Sequence, residues 1–380
     1  MSRFPLQSAL AKGFRMDVQR TIYREDHEMF RTTVRRFLER DYLPGQVQGE
    51  AVGRRVWQKA ARQGLLCVTL PAEFGGGGDF GHAAVICEEF ARAGIDDKSL
   101  SLHSDIIAPC ILRLGNDEQK RRWLPPACSG ETILALAIAE PGGRNRNLRT
   151  HAVHEGDHCL INGSKVAVGN GMSSHRVLLA CRTETSEGDI GVSLFMVETD
   201  RAGVTRTPSA QANSQPGDAD FCFADVRVPM ANQLGEAGRG MDYLGRAWGQ
   251  ERLLLAIHAA SRLEHLLKQT LDHVQQADSS GYCPWDVPHT RIKMADIKAR
   301  AVALRVLVDF YLQRRMQQAL SAEHTAIANL YASETLRKCT EELSRLRMAN
   351  GRLRTHSLAD TWIDHGGTGK AAHEIIALAL

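Results

Sequence analysis

The stretch Leu134–Gly171 reads LALAIAEPGGRNRNLRTHAVHEGDHCLINGSKVAVGNG. An alternating apolar strand runs into Glu140-Pro141-Gly142-Gly143. A second strand pair follows, turning at Asn162-Gly163 and closing at Asn170-Gly171. The period of two continues to about Gly235, with strand candidates at 134–139, 158–162, 176–182, 191–197, 204–206 and 220–223 separated by turn residues. These make a β-domain that exits through FADVRVPMANQLGEAGRGM, Phe223–Met241.

On both sides of this domain the period becomes helical. Upstream, Ile22, Met29, Phe30, Val34, Phe37 and Leu38 fall near one helix face. Arg55–Leu65 repeats the pattern, and Phe80–Ala93 follows the breaker Gly75-Gly76-Gly77-Gly78. No Gly-Lys-Ser/Thr follows that glycine run, so it reads as a turn between helices rather than a phosphate loop. Downstream, 241–276, 289–318, 323–349 and 370–380 are helix candidates. Leu253, Leu254, Ile257, Ala260, Leu263, Leu266, Leu267 and Leu271 form a broad apolar stripe suited to a bundle. The expected division is a disordered arm at 1–16, an α-helical domain at 17–133, a β-domain at 134–235 and an α-helical bundle at 236–380.

Bulk composition narrows the function classes. The chain has 380 residues, 43% hydrophobic and 24% charged, which suits a soluble multidomain protein with a large core. A net charge of +3 is too small to argue for nucleic acid or a membrane surface, and no apolar run is long enough to span a bilayer. The nine cysteines contain no C-x-x-C pair and suit free thiols in a reducing, cytoplasmic setting. His151, His154 and His158 flank the turn Glu155-Gly156-Asp157, where histidines are usually solvated, so no metal is expected.

Several motifs, in order along residues 17–380, resemble those of the acyl-CoA dehydrogenase family. Leu70-Pro71-Ala72-Glu73-Phe74-Gly75-Gly76 is similar to its Pro-Glu-x-Tyr-Gly-Gly turn, and Leu114-Gly115 with Gln119-Lys120 and Trp123-Leu124-Pro125 to its Gly-x-x-x-Gln-Lys-x-x-x-Leu-Pro run. Ala139-Glu140-Pro141-Gly142, Ile161-Asn162-Gly163-Ser164-Lys165, Phe223–Pro229 and Leu234-Gly235-Glu236 resemble its β-domain signatures. The resemblance implies an α+β multidomain fold: an N-terminal helical domain, a central β-barrel and a C-terminal four-helix bundle. It also implies FAD, an acyl-CoA or acyl-carrier-protein substrate, and a homodimer or homotetramer.

The family's chemistry needs a carboxylate base to remove the α-proton of an acyl thioester, with its proton affinity raised by desolvation. Most members carry that Glu in a C-terminal Tyr-Glu-Gly-Thr motif. Here the text is His365-Gly366-Gly367-Thr368, with Gly366 in its place. A minority carry it on the first bundle helix before Arg-Leu, and Gln250-Glu251-Arg252-Leu253 matches that alternative. The resemblance therefore makes Glu251 the candidate catalytic base, weighed against a helix-surface Glu near an N-terminus. Trp248 and Arg252 are candidate substrate-binding residues, with core packing and a buried ion pair as their competing roles.

Departures fall on the flavin contacts. Ala139 stands where the family has a Thr or Ser donor and cannot donate. Gly-Ser-Asp after Glu-Pro-Gly is absent, leaving Arg144-Asn145-Arg146. Trp-Ile-Thr or Phe-Ile-Thr becomes Ala167-Val168-Gly169. Arg-x-x-Phe-Gly becomes Gly281–Trp285, with Pro288 at the following Gln. Gln-x-x-Gly-Gly becomes Arg347–Gly351, and the Arg-Asp pair before the C-terminal motif becomes Trp362-Ile363-Asp364. The implied cofactor-binding set is Ile138, Ala139, Gly142, Arg144, Val168, Gly169 and Arg347. Three readings stand. FAD is held by backbone groups and the new arginines; or the ring opens to oxygen through small Ala167 and Gly169, giving an oxygenase or oxidase; or FAD is lost, leaving a non-redox thioester isomerase or cyclase, or an interaction protein. The leading expectation is flavin-dependent oxidation of an acyl thioester by a specialised, biosynthetic member.

Overall fold

The computed structural model describes residues 20–45, 51–142, 148–184, 190–211, 214–277, 279, 281–348 and 368–379. The arm at 1–16, Arg144 to Arg146, and the segment 351–367 that holds Gly366 lie outside the described residues.

Helices α1 (Glu25–Phe37), α2 (Arg54–Arg62) and α3 (Phe80–Arg92) open the fold. They are followed by α4 (Ser99–Ser101), a π-helical segment Leu102–Ile107, α5 (Ala108–Leu114) and α6 (Asp117–Cys128). Local chemistry sets the starts. Asp79 caps α3 by accepting from the N–H groups of Gly81 and His82, and Asn116 with Gln119 forms a reciprocal capping box on α6. Val34, Phe37 and Leu38 are buried as the helical spacing predicts, whereas Met29 is 69% exposed.

Eight strands follow: β1 (Leu134–Ala137), β2 (His151–Glu155), β3 (His158–Val168), β4 (Arg176–Glu184), β5 (Ile190–Glu198), β6 (Val204–Pro208), β7 (Ala219–Pro229) and β8 (Gln233–Leu234). They make one sheet in the order β6-β7-β3-β2-β4-β5-β8, with β1 pairing parallel to β4. In β4, Leu178 and Ala180 face the helical core while Val177, Leu179 and Cys181 face a smaller core with Phe195, Phe221 and Phe223. Burial on both faces is why this strand reads as a continuous apolar run. The sequence reading misplaced one turn. Asn162-Gly163 lies inside β3, and the hairpin turns at Gly156-Asp157. At Gly163 the backbone takes φ +146°, and an added Cβ would come 2.5 Å from Thr150 Cα, so the glycine marks a bulge and a close approach.

The C-terminal part holds α7 (Gly240–Val274), α8 (Pro288–Met316), α9 (Ala322–Met348) and α10 (Thr368–Ala379). Helix α7 packs against α3, α8 and α9, and the stripe from Leu253 to Leu267 is buried. A charged cluster joins the two helical parts. Glu88 on α3, fully buried, accepts from Arg20, Tyr23, Arg31 and Arg305 of α8. Burial would push its carboxyl up, but Arg20 and Arg305 hold it well below the usual range.

Candidate active site

The Glu-Pro-Gly turn after β1 is braced from below. Lys165, fully buried on β3, donates from Nζ to Ile138 O (3.0 Å) and Glu140 Oε1 (2.8 Å). Glu140 also accepts from the N–H groups of Arg149 (2.7 Å) and Thr150 (2.9 Å). Burial pushes the Glu140 carboxyl up, yet Lys165 and these N–H donors override it and hold it at about 2. Val166 N donates to Ala139 O at 2.9 Å, so Ile138 and Ala139 lie beside the end of β3. There Val168 is buried, and Asn170 Nδ2 donates to Ser99 O (2.9 Å) and Leu134 O (3.1 Å). Five of the expected cofactor residues, Ile138, Ala139, Gly142, Val168 and Gly169, thus lie on two adjacent segments fixed by Lys165 and Asn170. Gly142, at φ +66°, is exposed and has open space around it. The gap expected at Gly169 is not open: a Cβ there would come 2.7 Å from Leu102 Cδ2.

Arg347 sits apart from this turn, in the last turn of α9. Burial, then the like charge of Arg262, lowers its proton affinity. Arg262 is eleven residues beyond Glu251, about 16 Å along α7 at 1.5 Å per residue. The Arg347 Nε is buried with no acceptor among the described residues.

Glu251 lies on α7, half-buried rather than on an open surface. Burial pushes its carboxyl above the usual range, opposed by Lys98 and Arg252. Arg252 is 4% exposed, and its Nε has no acceptor among the described residues. Burial lowers its proton affinity against the pull of Glu251. Trp248, half-buried, packs on the edge of the main core.

Sequence reasoning missed three neighbours of this helix turn. Lys98, just before α4, is a cation placed near Glu251, Asp218 and Asp96. Asp105, in the π-helical segment, is 6% exposed and accepts from Ser101 Oγ at 2.8 Å; burial pushes its carboxyl up to about 7. Gln250 donates from Nε2 to the main-chain carbonyl of Asp105 at 2.6 Å. A π-helical segment beside a candidate base was a possible signal, since such segments recur at functional sites, but its presence is not legible from composition.

His151, His154 and His158 lie along the β2–β3 hairpin, where His158 pairs with Asp157. A different group, Asp26, His27 and His82, has ligand atoms within reach of one ion. The Arg24 guanidinium occupies that place, 2.9 Å from both Asp26 Oδ2 and Asp79 Oδ2, and two helix N-termini add further positive potential.

Three domain profiles match in the order found here: acyl-CoA dehydrogenase N-terminal domain over residues 24–131, middle domain over 135–226 and C-terminal domain over 238–368. The long-chain specific acyl-CoA dehydrogenase of Sus scrofa mitochondria is 31% identical, over 98% of this chain and 90% of that protein. The chain belongs to the acyl-CoA dehydrogenase family. The crystal structure of an acyl-CoA dehydrogenase from Geobacillus kaustophilus superposes with a TM-score of 0.86 at 29% identity, over 95% of this chain and 99% of the other. A glutaryl-CoA dehydrogenase from Mycobacterium smegmatis, solved with FADH2, shares the fold with a TM-score of 0.83 at 19% identity, over 94% and 95% of the two chains. The protein is an acyl-CoA dehydrogenase-like oxidoreductase with the acyl-CoA dehydrogenase fold, and FAD is the family's cofactor.

Proposed function

We propose that this acyl-CoA dehydrogenase family member oxidises an acyl-CoA at its α,β-bond, with Glu251 as the base. The observation that carries the reading is the Glu251 carboxylate itself. It is half-buried on α7, and desolvation raises its proton affinity against the opposing pull of two basic neighbours, Lys98 and Arg252. Desolvation moves the carboxyl in the direction a general base needs.

The residues present fit FAD on one count in particular. The orphaned Nε of Arg347, facing another arginine, has the chemistry to receive a phosphate oxygen. Arg144 is a second candidate phosphate partner. Main-chain groups of Ile138, Ala139, Gly142, Val168 and Gly169 would hold the ring, since their side chains offer no polar donor. When bound, FAD supplies the acceptor for the β-hydrogen as hydride. Glu251 takes the α-proton, Trp248 excludes water from the thioester, and Arg252 supports the carboxylate's turn.

The relatives' names make a long-chain acyl-CoA the first substrate to test, with an acyl-carrier-protein thioester second and a biosynthetic use still consistent with the altered cofactor contacts. The visible spectrum of the pure protein, with and without added FAD, comes first, followed by anaerobic addition of a long-chain acyl-CoA. Bound flavin that bleaches in the wild type and stays oxidised in Glu251→Gln is the expected result. A colourless protein that ignores FAD would overturn the reading.

The protein is also proposed to be a homo-oligomer, and most thiols are buried as a reducing cytoplasm would allow. The outward face of α8 leaves Ile292, Val306 and Phe310 at 50–67% exposure, an apolar surface suited to a second copy. Sedimentation should give a dimer or tetramer that Phe310→Asp weakens; a monomeric wild type would refute this.

A further inference from the structure

The π-helical segment Leu102–Ile107 is tied to α7 by one main-chain carbonyl. The segment winds with N–H groups bonding five residues back, as Ala108 N does to His103 O. The carbonyl of Asp105 takes a donor from outside its own helix: Gln250 Nε2 on α7 donates to it at 2.6 Å. The other end of the same amide, Gln250 Oε1, accepts from Arg315 Nη2 of α8 at 3.3 Å. Arg315 in turn lies over the ring of Phe80 at the start of α3, 4.9 Å from its centroid. One turn further along α7, Cys87 Sγ of α3 donates to Leu254 O at 3.3 Å.

We infer that Gln250 is the positioning residue for Glu251. Its amide is clamped at both ends, by the Asp105 carbonyl and by Arg315, and this fixes the rotation of the α7 turn on which the next residue carries its carboxylate. The inference rests on the reading of Glu251 as base. A helix is free to roll by small angles about its axis when only apolar side chains hold it. A roll of about 15° at a side-chain radius of roughly 6 Å moves a carboxylate by about 1.5 Å. Displacements of that order lower rates by about a hundredfold. A leucine at position 250 could fill the same volume, but it would hold neither end.

The same geometry supplies a test that separates positioning from plain packing. In Gln250→Leu the Asp105 carbonyl and the Arg315 guanidinium both lose their partner on α7. In the full-length holoenzyme, Gln250→Leu should lose melting temperature, and kcat should fall by about 10- to 100-fold with a smaller change in KM. The hydrogen isotope effect with α-deuterated acyl-CoA should rise as proton removal becomes slower. A Gln250→Leu enzyme that loses melting temperature but keeps kcat within twofold of wild type and an unchanged isotope effect would overturn the inference, since plain packing gives that result. Should Gln250→Leu not fold, Gln250→Glu, which keeps the shape and loses the donor, is read by the same kinetics. Glu251→Gln separates the two claims. If that variant turns over normally, the base reading itself fails. If it is inactive while Gln250→Leu is fully active, only the positioning role fails.

Discussion

The carboxyl of Asp105 is the residue whose behaviour the fold alters in the most testable way. Burial raises it from an ordinary value of 3.8 to about 7 in the folded chain, with Ser101 as its hydrogen-bond donor. The folded state therefore binds more protons than the unfolded one between those values, so this group makes stability fall as pH rises from about 4 to 7 and level off above. Glu140 acts in the opposite sense. Its folded value of about 2 stabilises above its ordinary 4.5, and that contribution is lost as pH falls toward 2. Asp105→Asn should flatten the decline in melting temperature between pH 5 and 7.5 and leave the acid limb in place; an unchanged decline would refute the assignment. Of these residues, Glu251 and the Glu140 turn were legible in sequence because they sit inside short motifs. Lys98, Asp105 and Gln250 were not, because contacts such as that of Gln250 with Asp105 join positions 145 residues apart.

At the scale of elements, strongly periodic segments were readable and short ones less so. Helices α7, α8 and α9 fall within a few residues of the segments that the apolar spacing predicts, because long helices repeat the same signal many times. Strand β2, HAVHE, gives almost no signal: only Ala152 of its five residues is buried, the rest facing outward or the rim. The dipeptide Asn162-Gly163 carries strong hairpin chemistry, yet it is used for a bulge where β3 passes Thr150. Gly163→Ala should therefore behave as an overpacked core position rather than as a loop change. It faces Thr150 at 2.5 Å and a backbone that disfavours a side chain, and a loss of about 1–3 kcal/mol is expected by chemical denaturation. A neutral result would mean that Thr150 and the chain leading into β2 can move aside.

Across the whole molecule, the order helices–sheet–helices was legible because the period of the sequence changes twice. What periodicity does not carry is how the two helical parts are joined. Glu88 answers that, with four arginine or tyrosine partners drawn from the segment before α1, from α1 and from α8. Glu88→Gln leaves Arg20 and Arg305 with less than their charge requires in a buried setting, and a cost of about 3–5 kcal/mol is expected. The thermal transition should shift down as one step for helices and sheet together. A split transition, with one helical part melting first, would show that the cluster does not couple them.

The same cluster imposes an order on events during synthesis. Glu88 and Arg305 are 217 residues apart. At about 5–20 residues per second, some 10–40 s separate their appearance on the ribosome. Throughout that interval the N-terminal helices exist with a carboxylate aimed into their own interior and one of its cations not yet made. The first third of this protein is thus a platform that waits for the last third, and a nascent chain interrupted inside the sheet is the form in which chaperones would meet it.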